Sequence, residues 1–343
     1  MENIDGIKNW KTENLTDFKE MFYDCKSLKN VDGLINFNTS KIKDFKFFYE
    51  CPNLENLNGL KNWDVSRAND LSKLFSNLNT LKNVDGLSNW DVSNVTNFES
   101  IFSSCYKLEN LDGLKNWNVS NATSFNSTFS SCSNLKYLDG IKDWDVSKCT
   151  AFENTFYECQ RLQRINSLSN WDVSNVTNFK NMFYCCSNLQ NVDALLKWNV
   201  SAGTMFYGMF HGCSSLKNVD GLTNWNVINA RSFQNMLASC SSLKNINGLT
   251  KWNVINVVVL NGMFAGCSSL EDLYGLINWN VVKVNNYMGM FYDCKKLKNI
   301  EGLKNWLPLV EIKFEDIFQR CPLVSKKKLP ENFKKKNIIN IHK

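Results

Sequence analysis

Residues Asn170–Leu195 read NWDVSNVTNFKNMFYCCSNLQNVDAL, and this stretch recurs along nearly the whole chain. Tryptophan sets the period. Trp63, Trp90, Trp117, Trp144, Trp171, Trp198, Trp225, Trp252, Trp279 and Trp306 lie 27 residues apart. Trp10 belongs to the series, Phe37 takes the next place, and the spacing slips only from Phe37 to Trp63, which are 26 residues apart. The chain therefore holds twelve copies of W-[DN]-V-S-N-[VA]-T-x-F-x-x-M-F-x-x-C-x-x-L-x-N-[VIL]-D-G-L-x-N. One such unit cannot bury its apolar face alone, whereas stacked units bury one another.

Within a copy, Phe98, Ile101, Phe102 and Cys105 fall at i, i+3, i+4 and i+7. That spacing predicts a short helix over Asn94–Cys105, with Thr96 as its N-cap. Leu108–Leu114 is too short for another helix and carries an Asp-Gly turn signal, so a short strand and turn are expected there. A second extended piece is expected over Asp91–Val95. The expected fold is an α/β repeat solenoid, leucine-rich-repeat-like, with twelve stacked units of about 27 residues, each with short strand(s) and a short helix. Residues 1–323 form the array and 306–323 its C-terminal cap, where Pro308 and Pro322 remove ladder donors. Residues 324–343 form a basic tail.

The run W-D-V-S-N-V-T-x-F-x-x-M-F-x-x-C-S-S-L resembles the BspA-type leucine-rich repeat family, in its bacterial surface-protein 26-residue repeat form. The resemblance spans residues 1–323. It implies the repeat fold and, as family roles, surface adhesion and host contact. This chain differs in using 27 residues.

Charge divides the chain in two. The formal net charge is +6. Residues 324–343 hold seven lysines and one glutamate, so 7 − 1 = +6 sits in the tail, leaving 32 basic and 32 acidic residues in the array. A neutral array lacks the electrostatic footprint of a nucleic-acid binder. The tail suits an acidic partner or an anionic membrane surface. No apolar run is long enough to span a bilayer, and MENIDGIKNWKTENL lacks the pattern of a secretory signal. A cytoplasmic location is therefore expected, with the cell surface or a virion as the alternative.

Eleven of the 13 cysteines share one repeat position, and Leu78 fills the twelfth place. Exchange with leucine points to buried thiols packing as small hydrophobes, not to metal ligands, which need convergent spacing. Cys185 falls at a variable position and is the expected reactive thiol. Cys149 replaces a core Val or Ala. His211 and His342 are the only histidines, and no triad can be built around either. The row Asp5, Asp32, Asp85, Asp112, Asp139, Asp193, Asp220 exchanges with Asn and reads as turn chemistry ahead of a calcium ladder. Asn30, Asn56, Asn83, Asn110, Asn191, Asn218, Asn245 and Asn299 are expected to bond rung to rung. No catalytic group, cofactor or metal is expected.

Function is sought where the repeat varies. The position after the second Phe carries Tyr23, Tyr49, Tyr157, Tyr184, His211 and Tyr292, either as a recognition row or as packing against adjacent turns. The third residue after Trp is serine from Ser66 to Ser201, then becomes Ile228, Ile255, Val282 and Leu309. This apolar edge is covered by the tail or by a partner. The candidate partner surface is Tyr157, Tyr184, His211, Ile228, Ile255 and Val282. The expected function is a non-enzymatic protein-binding scaffold using a solenoid face, with a cell-surface or virion structural or adhesion protein as the alternative.

Overall fold

A computed structural model describes residues 2–48, 50–308, 314–325 and 330. The chain divides into two compact units, Met1–Asn175 and Val176–Lys343. The same 27-residue turn builds both. Among the described residues each turn carries one 3-10 turn at the Asp-Gly-Leu signal, from Asp5–Ile7 to Glu301–Leu303. The four-residue α-helix Phe314–Ile317 is the sole α-helix among them.

The segment expected to be a helix is not one. In Met1–Asn175, the N–H groups of Phe98, Ser100, Phe102 and Ser104 donate to Ser124, Asn126, Thr128 and Ser130 of the next turn, at 2.7–3.2 Å. The alternate N–H groups of Ile101, Ser103 and Cys105 close local turns onto Phe98, Ser100 and Phe102. A helix would spend every N–H on the carbonyl four residues back. The chain instead turns twice through left-handed residues, Ser100 at φ 56° and Ser104 at φ 61°. Val176–Lys343 repeats the arrangement with Gly262 and Gly266 at φ 63° and 74°, where Leu260, Gly262, Phe264 and Gly266 donate to Asn286, Met288, Met290 and Tyr292. Thr96 caps no helix: its N–H and hydroxyl both reach the Asn69 carbonyl of the preceding turn, at 3.0 and 3.2 Å.

The expected strands contract in the same way. Strand pairing among the described residues is confined to isolated parallel bridges, Asp70–Asn97–Ser124–Ala151 in one unit and Asn178–Met205–Ser232–Val259–Asn286 in the other, with Asp272–Asn299 besides. Asp91–Val95 is a turn in which the Asp91 carboxylate accepts from Ser93 N–H at 3.0 Å. Leu108–Leu114 ends in the 3-10 turn Asp112–Leu114.

Side chains extend the backbone ladder. Trp117 Nε1 donates to the Leu87 carbonyl at 3.0 Å, and Trp252 Nε1 to Leu222 at 2.9 Å. The indoles stack between turns, Trp117 on Trp144 at 6.4 Å and Trp225 on Trp252 at 6.1 Å. Phe102–Phe129 and Phe183–Phe210 do the same at 5.8 and 5.6 Å. All 13 cysteines are free thiols, and all but Cys25 and Cys185 are buried. Cys132 Sγ donates to Phe102 O and Cys240 Sγ to Phe210 O, both at 3.2 Å. Burial pushes the Cys105 and Cys267 thiols up to about 12 and Cys149 up to about 11, which suppresses the nucleophilic thiolate.

Two rows behave differently from expectation. The Asn30 row bonds locally: its side-chain oxygen accepts from the N–H two residues on, as Asn110 Oδ1 does from Asp112 N at 3.1 Å. It is this asparagine, not the aspartate after it, that satisfies the turn. The amides that bond rung to rung sit elsewhere. Asn62 Nδ2 reaches Ile35 O at 3.2 Å and Asn121 Nδ2 reaches Ser93 O at 2.8 Å. The basic tail lies outside the described residues save Val324, Ser325 and Pro330. In the cap region Asp316, Ile317 and Gln319 accept the N–H groups of Gly289, Phe291 and Asp293, so the ladder continues into it.

Ten of the twelve 3-10 turns carry glycine at their second residue, Ser167 and Ala194 taking the place in the other two, and from Gly33 onward that glycine lies in close approach to the preceding turn. A Cβ on Gly86 would stand 2.1 Å from the Leu57 carbonyl oxygen, whereas one on Gly6 meets nothing within 4 Å. We therefore expect Gly86→Ala to cost about 2 kcal/mol or more of unfolding free energy, as overpacking does, and Gly6→Ala to be near neutral. Urea unfolding of the two variants beside the parent measures the difference, and equal midpoints would contradict the stacking geometry.

Candidate partner surface

The expected surface residues fall into separate places. Tyr157 belongs to Met1–Asn175, where it is half-buried and its carbonyl accepts from Ser131 N–H at 2.6 Å. Tyr184, His211, Ile228, Ile255 and Val282 belong to Val176–Lys343.

Tyr184 and His211 form a stacked pair with ring centroids 4.5 Å apart and planes at 2°. Their register follows from the ladder, since they occupy the same position of successive turns. Both are half-buried. His211 Nδ1 is buried and makes no hydrogen bond among the described residues, and desolvation lowers the imidazole pKa. In the same row the Arg320 guanidinium lies over the Tyr292 ring at 5.4 Å. Ala238, next after His211, is buried. Packing against neighbouring turns thus accounts for much of this row. Tyr23, 53% exposed, is its most open described member, and Tyr49 lies outside the described residues.

Ile228, Ile255 and Val282 form one line in successive turns, each half-buried. The local scaffold is the one that holds serine elsewhere. In Met1–Asn175, Asp64 Oδ1 accepts from both the N–H and the hydroxyl of Ser66, at 3.0 and 2.7 Å. The same pair of bonds from Ser93 and Ser147 holds the Asp91 and Asp145 carboxyls below the usual range. In the apolar turns the hydroxyl is gone and asparagine stands where the aspartates do. Asn226, Asn253 and Asn280 accept only the N–H of Ile228, Ile255 and Val282, at 3.2–3.3 Å. Asparagine also serves beside a retained serine, as Asn118 Oδ1 accepts from both the N–H and the hydroxyl of Ser120 at 3.2 and 2.8 Å, so the loss of the hydroxyl is what sets the apolar turns apart. In the turn of Ile255, Val258 and Val259 are half-buried; elsewhere in Val176–Lys343, Met205 is 46% exposed and Met288 73% exposed. Arg231 and Lys283 flank it, each bonded to Asn256. Leu309, the fourth apolar residue, lies outside the described residues.

A second feature escaped the reading of the sequence, although its signal was present. The 26-residue slip falls between Phe45 and Cys51, one residue short of Phe98–Cys105, so this corner lacks one of its two left-handed residues. A cleft of about 340 Å³ opens beside it, with Phe47 and Leu74 as a buried floor and Lys19, Tyr23, Lys46 and Lys73 on the walls. Lys46 Nζ pairs with Asp70 at 3.3 Å. Among the described residues no group of three or more His, Cys, Asp or Glu side chains is placed to hold a metal ion, and no helix is long and apolar enough to cross a membrane.

A repeated turn with leucine, tryptophan and cysteine ladders defines a leucine-rich repeat protein. The sequence matches the family DUF285, described as Mycoplasma protein of unknown function, over residues 1–81, 45–165, 123–248 and 217–333, and the chain belongs to that family. Among curated proteins none matches it. Among solved structures it is similar to a leucine-rich repeat protein of Bacteroides ovatus, with 18% identity, 83% of this chain and 81% of that one covered, and a TM-score of 0.38. A leucine rich cell surface protein of Faecalibacterium prausnitzii shares 19% identity over 82% and 75% of the two chains, TM-score 0.41. A leucine-rich repeat protein of Eubacterium ventriosum shares 16% over 90% and 81%, TM-score 0.31.

The lowered His211 pKa has a signed consequence. The unfolded imidazole titrates near 6.5 and the folded one lower, so the unfolded chain binds more protons between those values. Stability from this residue is present above about pH 6.5 and is lost as the pH falls below it. Unfolding free energy measured from pH 7.5 to 5 should fall more steeply for the parent than for His211→Gln, and identical slopes would contradict the buried, neutral imidazole.

Proposed function

We propose that the chain is a non-enzymatic scaffold of the BspA type that binds a partner protein through the face carrying Ile228, Ile255 and Val282. The observation that supports this reading is differential. Serine occupies the same backbone position, in the same Asx turn, in seven other turns, so the turn does not require an apolar residue there. Three successive turns nonetheless carry one, and half-buried Val258 and Val259 follow Ile255 in the same turn. Contiguous apolar surface rimmed by polar groups is the signature of a contact surface. Absence of catalysis is part of the proposal. His211 faces a tyrosine ring, its buried nitrogen meets no carboxylate among the described residues, and general acid–base chemistry needs an oriented partner.

Replacement of Ile255 by Ser, together with Asn253→Asp to recreate the Asp–Ser pair, tests it. Unfolding free energy should change by no more than about 0.5 kcal/mol, as for a surface substitution. Capture of the partner from lysate of the source cells by the immobilised chain should fall. A loss of several kcal/mol, as for emptying a packed core site, would show that the position is core and overturn the reading. A chain ending at Leu323 separates coverage by the tail from coverage by a partner. Unchanged capture supports the partner, and faster hydrogen exchange in residues 310–343 of the Ile255 variant would assign the edge to the tail.

A further inference from the structure

The turns that carry the apolar line differ from the rest of the repeat in charge as well as in polarity. The line lies in the stretch of each turn that runs from the residue before Trp to the seventh after it. In residues 224–232, 251–259 and 278–286 this stretch holds Arg231, Lys251 and Lys283 and neither aspartate nor glutamate, a charge of +3. The same stretch in the six turns of Met1–Asn175, from 9–17 to 143–151, holds five basic and eight acidic residues, 5 − 8 = −3. Arg231, Lys251 and Lys283 are all exposed. Two of them converge on the residue after Ile255. Arg231 Nη1 donates to the Asn256 carbonyl at 3.4 Å, and Lys283 Nζ donates to Asn256 Oδ1 at 2.7 Å. The face is thus apolar and cationic at once.

The backbone donors of this edge are already spent. The N–H groups of Ile228, Ile255 and Val282 are held by Asn226, Asn253 and Asn280, and those of Val258, Val259 and Asn285 by the carbonyls of Arg231 and Val258. An extended segment adding itself as a strand would find no donor row here, and amides buried without partners are costly. A helix satisfies its own backbone and brings only side chains to the contact. Its turns also match the rungs. Trp225, Trp252 and Trp279, three residues before the line in the same turns, stack at 6.1 and 6.2 Å, and four residues of helix rise about 6 Å. Apolar residues at i, i+4 and i+8 would each meet one of Ile228, Ile255 and Val282. A lipid surface is met by apolar groups that sink into it, whereas these three are half-buried. Residues 324–343 carry seven lysines and one glutamate, so like charge disfavours the chain's own tail as the occupant. We propose that this face receives an amphipathic helix of a partner protein, with acidic residues beside its apolar stripe. The proposal rests on the partner-contact reading above and names the chemistry of that partner.

The test uses the full chain and a dye-labelled peptide, acetyl-Glu-Ala-Leu-Glu-Ala-Ala-Leu-Glu-Ala-Ala-Leu-Glu-Ala-amide, followed by fluorescence anisotropy at low ionic strength. The glutamate peptide should bind, and its counterpart with lysine for glutamate should bind about tenfold more weakly or worse, because like charges then face one another. Ile255→Ser should weaken the glutamate peptide by about tenfold. Arg231→Glu combined with Lys283→Glu should reverse the preference between the two peptides, and Lys251→Glu should shift it in the same direction. Equal binding of the two peptides, both weakened by Ile255→Ser, would leave the apolar contact standing and overturn its acidic partner. A preference that the charge variants leave unchanged, or glutamate binding that Ile255→Ser leaves undiminished, would overturn the proposal by placing the peptide elsewhere, as on the basic tail. Phosphatidylserine vesicles that bind through Ile255 when the peptide does not would overturn it by assigning the face to lipid. A large fall in the thermal midpoint of Ile255→Ser would instead overturn the partner-contact reading, and this proposal with it.

Discussion

Everything in this structure depends on the bond from a backbone N–H in one turn to a carbonyl in the turn beside it. The described residues hold little helix or strand to pair their amide groups, and buried amides left unpaired are costly. The corner formed by Phe98–Cys105 resolves this by alternation, with every second N–H closing a local turn and the others crossing to the next rung. Crossing requires the two left-handed residues at Ser100 and Ser104, which aim the amides along the stack. The indole and thiol donors repeat the rule, since Trp117 and Cys132 also spend their hydrogens on carbonyls 30 residues back.

Close registration sets where variation is tolerated. The inward positions have no freedom, because each packs against its own copies above and below. The outward positions differ from turn to turn, and there the chain departs from its own rule in separable ways. A missing residue before Cys51 lies beside an apolar-floored cleft, a change from serine to isoleucine and valine makes one edge apolar, and Arg164 and Ser167 interrupt two rows beside a second cleft. Each departure is recognisable because the remaining turns supply the control.

Much of this was legible in the sequence. The 27-residue period, the Trp, Phe, Leu and Cys ladders and the burial of most of the cysteines follow from the spacing and from the exchanges tolerated, because a position that accepts only Trp or Phe, or only Cys or Leu, over twelve turns is a packed one. The helix was misread for a physical reason. Positions i, i+3, i+4 and i+7 lie on one side of a helix, and they also lie on one side of a corner that turns twice through left-handed residues. What separates the two is the residues between them. Ser100, Ser104, Asn181, Gly208, Gly212, Gly262 and Gly266 are poor helix formers or left-handed formers at a spacing of four. Similarly, the Asn30 row was read as an amide ladder, yet its spacing of two before Asp32 favours the local Asx turn. The cleft at Arg164 was visible only as a gap in two rows, and no residue there announces a site by type.

Far-ultraviolet circular dichroism of the purified chain tests the central claim most directly, namely that the apolar corner of each turn is a crossed ladder. The spectrum should lack the paired minima of α-helix, because the described residues hold a single four-residue α-helix, Phe314–Ile317. A pronounced helical spectrum, of the strength expected if every Phe-x-x-Met-Phe-x-x-Cys segment wound as a helix, would contradict it.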